Sequence, residues 1–323
     1  MDRETILVLA DPADPQLRQL ERLPAETNLA VGDTAEAFTR AAAEGTVIFG
    51  WSLAGKLLRE VFHMAPGVRW VHTRAAGIDN LLFPELVAHP AVLTNGSGVF
   101  SQSLGEFVLG AVLYFAKDFR RMIRNQMEGR WEPFEVVEIS GQTAGIVGYG
   151  DIGRAVATRL RSMGMQVLGM TRRGPLLHNV DPLVSQVYGP ADRIAMIEQC
   201  DYVIVAAPLT PETRGLIGEA EIAAMRPGTV VINVGRGPVI DEGALVRALT
   251  EKRIRGAALD VFDTEPLPQG HAFYRLDNAL LSPHCADHTA DWLDAAMRFF
   301  LDNFERYRRR EPLLNVVEKE LGY

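Results

Sequence analysis

The chain has 323 residues, 47% of them hydrophobic and 23% charged, with a formal net charge of −8. That length exceeds what one domain usually needs, so two domains are expected. The acidic balance argues against a nucleic-acid face, with Arg308-Arg309-Arg310 read as a solvated helix end, and no run of about eighteen apolar residues offers a membrane span.

Met1-Asp2-Arg3-Glu4 leads straight into a strand-like segment at 6–10, without a signal-peptide pattern. Cys200 and Cys285 read as reduced thiols, and a cytoplasmic location is expected. Further strands are predicted at 46–49, 69–73 and 91–94, with amphipathic helical stretches at 34–43 and 53–62. Such alternation predicts a parallel sheet with covering helices. Leu104, Phe107, Val108, Ala111, Val112 and Phe115 recur at helical spacing and predict one long helix over 102–127. A second α/β unit follows, with strands at 143–147, 166–170, 202–206, 230–233, 257–261 and 280–281. Their near-continuous Val, Ile and Ala runs suit strands buried on both faces. An amphipathic helix over 289–308 is expected to return to the first domain. The domains are thus 1–101 plus 286–323, and 102–285.

Gly148-Tyr149-Gly150-Asp151-Ile152-Gly153 follows the strand at 143–147 and opens a helix-like stretch. This order of strand, glycine turn and helix start is a phosphate-binding device. The first glycine makes the turn, the second lets backbone approach a pyrophosphate, and the third packs helix on strand. Free N–H groups at the positive helix end then face the phosphates. The next strand tip reads Thr171-Arg172-Arg173, where an acidic residue would select NAD through the ribose hydroxyl. Two guanidiniums there favour the extra phosphate of NADP, with NAD as the alternative. Ala207, Pro208 and Thr213, after the strand at 202–206, are expected on the cofactor wall.

Three later strand ends carry Val234-Gly235-Arg236-Gly237, then Asp260 through Glu265-Pro266, then Ser282-Pro283-His284. Reduction of a ketone needs a proton donor near neutrality, a carboxylate to orient it, and a cation for an anionic substrate. His, Glu and Arg fit those roles. The spacing of His284, Cys285 and His288 also invites a zinc reading, but Pro283 leaves the first histidine before any helix, and no metal is expected.

These segments, with Ala76-Gly77-Ile78-Asp79, Pro208-Leu209-Thr210 and Leu259-Asp260-Val261-Phe262, resemble the D-isomer-specific 2-hydroxyacid dehydrogenase family over nearly the whole chain. The resemblance implies an α/β protein of two Rossmann-like doubly wound parallel-sheet domains, with the active site in the cleft and a homodimer built through the cofactor domains. It implies Arg236 on the substrate carboxylate and carbonyl, Glu265 as partner of the general acid His284, and Asp260 at the nicotinamide carboxamide. It also implies the Ala76 and Gly77 backbone as receiver of the substrate carboxylate. The expected reaction is reduction of a small 2-oxo acid, of the glyoxylate or hydroxypyruvate type, by NAD(P)H. Oxidation of another small anion such as phosphite, and a dinucleotide-sensing scaffold like the corepressors of this fold, are the alternatives. Gly105 and the Thr171-Arg172-Arg173 tip depart from the family pattern.

Overall fold

A computed structural model describes residues 3–172, 174 and 181–323, which divide into two compact units, Met1–Phe100 with Thr289–Tyr323, and Ser101–His288. Arg173, one of the predicted phosphate contacts, lies outside the described residues.

The first unit is built on a five-stranded parallel sheet, ordered β2-β1-β3-β4-β5. Its strands are β1 (Thr5–Leu9), β2 (Asn28–Gly32), β3 (Val47–Gly50), β4 (Trp70–Thr73) and β5 (Val92–Thr94). Helix α1 (Gly55–Met64) buries Leu57, Leu58, Val61 and Phe62, the apolar stripe that its spacing announces. The short α2 (Pro84–Ala88) opens with proline at its start. The predicted helix at 34–43 is instead two short 3-10 turns, Ala35–Phe38 and Ala42–Glu44. Gly45 ends the second turn, and only Phe38 and Ala42 of this stretch are buried, too little apolar face to hold a longer helix. β2, at the sheet edge and half-exposed, lacks the apolar run that marks the central strands.

The second unit has a seven-stranded parallel sheet, ordered β12-β11-β10-β9-β6-β7-β8. These strands are β6 (Thr143–Val147), β7 (Gln166–Met170), β8 (Gln186–Tyr188), β9 (Tyr202–Val205), β10 (Val230–Asn233), β11 (Gly256–Leu259) and β12 (Ala279–Leu281). The four residues each of β9, β10 and β11 are all buried, as doubly covered strands require. The order reverses between β6 and β9, which makes their carboxyl ends a topological switch point, where open α/β sheets bind ligands.

The expected single helix over 102–127 is two, α3 (Ser101–Ala116) and α4 (Phe119–Met127). Asp118 between them has φ +51°, which no helix can hold, and its carboxylate caps the new helix by accepting Arg121 N at 3.3 Å. α3 crosses α5 (Asp151–Ser162) closely at Gly105, where a Cβ would stand 3.1 Å from Ala155 O. In the first unit, α9 (Trp292–Arg308) starts three residues later than expected and stacks Phe300 on Phe49, ring centroids 3.8 Å apart. Between these, α6 (Arg193–Ile197), α7 (Glu219–Ala224) and α8 (Glu242–Thr250) cover the second sheet. No helix among the described residues is long and apolar enough to cross a membrane.

Candidate active site

The glycine loop sits at the end of β6, beside the switch point. Gly148 has φ +93°, and a Cβ on it would strike Ala207 N at 2.5 Å, so only glycine fits the turn. Gly150 has open space, with no atom within 4 Å of an added Cβ. A Cβ on Gly153 would lie 2.7 Å from Gly148 O, so this glycine lets α5 approach the strand. α5 begins at Asp151 with no side chain capping its first amides, which leaves donors for an anion in the space beside Gly150. These residues therefore fit a dinucleotide pyrophosphate. The Asp151 carboxylate itself accepts Ser101 Oγ at 3.0 Å.

Beyond β7, Thr171 N bonds Tyr188 O at 3.1 Å, and Arg172 is exposed. The sequence tip holds no carboxylate, yet the chain brings one back. Asp181 Oδ2 accepts the Tyr149 hydroxyl at 2.8 Å and Arg154 Nη1 at 2.5 Å, beside the glycine loop. Sequence reasoning missed it because Asp181 stands well past the strand tip in the chain. Across the switch point, Thr213 Oγ1 donates to Pro208 O at 2.6 Å and accepts Thr210 N at 2.8 Å, closing that turn on itself. Ala207 packs against Gly148 and also against Gly235, where a Cβ would meet Ala207 O at 2.6 Å.

Val234 continues β10 through a bond from its N–H to Val205 O at 2.9 Å. The buried Asn233 then clamps the next turn, donating to Arg236 O at 3.0 Å and accepting Gly235 N at 3.0 Å. Arg236 Nη1 bonds Gly235 O at 2.9 Å. After β11, Asp260 is 1% exposed, and its Oδ1 accepts Ser282 Oγ at 2.6 Å, Cys285 N at 3.0 Å and Ala286 N at 3.1 Å. Ser103 of α3 adds a bond to Ala286 O at 2.6 Å. These bonds hold the turn in which His284 takes φ +53°. Asn233 and Ser282 lie inside the motifs that end β10 and β12 but were given no role of their own, and Ser103 carries no motif that would have singled it out.

His284 Nδ1 donates to Glu265 Oε2 at 2.7 Å, and Glu265 Oε1 accepts Phe262 N at 2.9 Å. Glu265 follows β11 and His284 follows β12, neighbours in the sheet. His284 Nε2 has no hydrogen bond among the described residues. The Glu265 hydrogen bond raises the His284 pKa above its ordinary 6.5; burial opposes this, the charges of Glu265 and Asp260 add to it, and Arg236 opposes it. For Glu265, burial pushes upward, but the His284 and Phe262 hydrogen bonds and the charges of His284 and Arg236 outweigh it, so its pKa falls. The Arg236 charge lowers both pKa values, and Arg236, Glu265 and His284 each follow a strand of the second unit's sheet.

Ala76 and Gly77 belong to the first unit, half-buried after β4, with Asn95 Nδ2 donating to Ala76 O at 2.7 Å. Residues 284–288 form a turn, not a ligand-bearing helix. Among the described residues no group of His, Cys, Asp and Glu is arranged to hold a metal.

Residues 109–286 match the family described as D-isomer specific 2-hydroxyacid dehydrogenase, NAD binding domain. The chain is 35% identical over 247 residues to a glyoxylate reductase of Thermofilum pendens, covering 74% of this chain and 71% of that protein. A D-isomer specific 2-hydroxyacid dehydrogenase from Xanthobacter autotrophicus, solved in complex with NADPH and MES, superposes with a TM-score of 0.85 at 29% identity over 100% of both chains. An NADPH-dependent glyoxylate/hydroxypyruvate reductase from Sinorhizobium meliloti, with NADP and malonate, gives 0.79 at 28% identity over 99% and 98% of the chains.

Fold and site together define a nicotinamide-dependent oxidoreductase with a Rossmann-like cofactor unit. The chain belongs to the D-isomer specific 2-hydroxyacid dehydrogenase family and is an NAD(P)-dependent enzyme of that family.

Proposed function

We propose that this enzyme reduces a small 2-oxo acid of the glyoxylate or hydroxypyruvate type to the D-2-hydroxy acid, with NADPH preferred over NADH. The observation that carries the reading is the 2.7 Å pairing of His284 with Glu265, both under the charge of Arg236. When bound, the reduced nicotinamide supplies the hydride that the keto carbon receives. Ionised Glu265 keeps His284 protonated, with Nδ1–H engaged and Nε2–H directed to the substrate oxygen. Arg236 holds the carboxylate and polarises the carbonyl through charge-assisted hydrogen bonds. The glycine loop and the start of α5 take the pyrophosphate, and Asp260, besides fixing the His284 turn, faces the nicotinamide amide. In the first unit, the Ala76 and Gly77 backbone is assigned to carboxylate binding. Arg172 supports the NADP preference, as do the relatives solved with NADPH or NADP.

Loss of NADPH absorbance with a panel of 2-oxo acids tests this reading. Saturable turnover of glyoxylate or hydroxypyruvate supports it. Nucleotide binding without turnover would indicate a sensing scaffold, and activity confined to phosphite would indicate the other small-anion chemistry.

The second unit is also proposed to pair with a copy of itself. Trp131 is 98% exposed, Met127 83% and Ile123 55%, large apolar side chains on α4 and the segment after it. Sedimentation should give a dimer that Trp131→Glu converts to a monomer; a wild-type monomer would refute this.

A further inference from the structure

The loop that carries Glu265 is held by a second carboxylate–imidazole pair. Glu242, the first residue of α8, accepts Asp263 N on Oε2 at 3.3 Å and meets His271 Nε2 with Oε1 at 3.1 Å. His271 Nδ1 accepts Phe273 N at 3.3 Å, so that nitrogen carries no proton and the ring proton sits on Nε2, aimed at Glu242. The His271 ring packs on Phe273, which is 2% exposed, and Phe273 packs on Phe262. The pair is therefore seated on the core.

One residue before Asp263, the Phe262 N–H is taken by Glu265 Oε1 at 2.9 Å. Consecutive amides of one turn are thus gripped by two different carboxylates, and each carboxylate gives its other oxygen to an imidazole. Loosening the Asp263 grip frees the peptide whose neighbour anchors Glu265, and Glu265 then loses its aim at His284. A shift of about 1 Å in a catalytic group can cost on the order of 100-fold in rate.

We propose that Glu242 and His271 are a positioning pair: they fix the turn at 262–263 and, through it, orient Glu265 toward His284. The proposal rests on the assignment of Glu265 and His284 as the working dyad. Neither residue of the pair needs to touch substrate for this role.

The test is a double-mutant cycle on the full-length enzyme, using the best 2-oxo acid of the panel and NADPH. Glu242→Ala is made in the wild type and in Glu265→Gln, with kcat and KM measured, and NADPH affinity followed by fluorescence. In the wild-type background kcat should fall about tenfold with NADPH affinity unchanged; in Glu265→Gln the further loss should be under twofold, since coupled residues are non-additive. Equal losses in both backgrounds, a loss confined to nucleotide affinity, or no loss overturns the proposal. If Glu242→Ala does not fold, His271→Gln carries the same cycle with the same expected pattern. Normal turnover in His284→Ala would instead remove the dyad assignment itself, so the two failures are distinguishable.

Discussion

Asp260 Oδ1 lies 3.0 Å from the backbone nitrogen of Cys285, and this contact fixes the turn on which His284 rides. The same oxygen serves Ser282 and Ala286, so a single buried carboxylate organises the end of β12.

Asp260 is 1% exposed, and Asp260→Ala leaves the amides of Cys285 and Ala286 and the Ser282 hydroxyl without their acceptor, on residues that water partly reaches. Each unsatisfied buried group costs about 1–3 kcal/mol, and partial access of water trims the sum to roughly 3 kcal/mol. Urea unfolding should show that loss together with a collapse of turnover; unchanged stability would mean the turn holds itself.

The raised pKa of His284 and the lowered one of Glu265 give a signed pH dependence. The proposed reduction needs His284 protonated, so the rate should fall as pH rises through a value above 6.5. Glu265→Gln removes the charge that raises it and should move this limb to lower pH. For stability, the His284 contribution is complete below its unfolded value and lost as pH rises through the folded one. The Glu265 contribution is present above its unfolded value and lost as pH falls through the folded one. A pH–rate profile of the reduction for both proteins checks the sign; a limb that stays in place in Glu265→Gln contradicts it.

Two glycines of one loop should respond differently. Gly153→Ala puts a Cβ 2.7 Å from Gly148 O and should cost about 1–3 kcal/mol of stability, as overpacking does. Gly150→Val meets no protein atom within 4 Å of its Cβ, so stability should change little while NADPH affinity drops at least about tenfold, near 1.4 kcal/mol. Thermal melts and fluorescence titration separate the two effects. Tight NADPH binding by Gly150→Val would place the pyrophosphate elsewhere.

Arg172→Ala should raise the KM for NADPH by about 10-fold to 100-fold and leave that for NADH nearly unchanged, because a hydrogen bond to a charged group contributes about 1.5–3 kcal/mol. Equal effects on both nucleotides would remove the phosphate contact.

Much of this was legible because local chemistry and strand order agree. The glycine loop announces itself between a strand and a helix, and Arg236, Glu265 and His284 each follow a strand of one parallel sheet. What escaped depends on tertiary return or on single residues. Asp181 reaches Tyr149 from well past the strand tip, and no count from the glycines places it there. The break between α3 and α4 turns on Asp118 alone, within apolar spacing that otherwise continues. β2 and β8 are edge strands with too few buried positions to stand out in composition. Glu242 looks like an ordinary polar residue until the turn it holds is seen.

The central claim is that the His284 imidazole donates the proton during 2-oxo acid reduction. His284→Ala, assayed for glyoxylate and hydroxypyruvate reduction beside a fluorescence titration with NADPH, tests it most directly. The expected result is turnover lowered by roughly 10² to 10⁴-fold with NADPH affinity preserved. Turnover within a fewfold of wild type in a variant that binds NADPH normally would contradict the account.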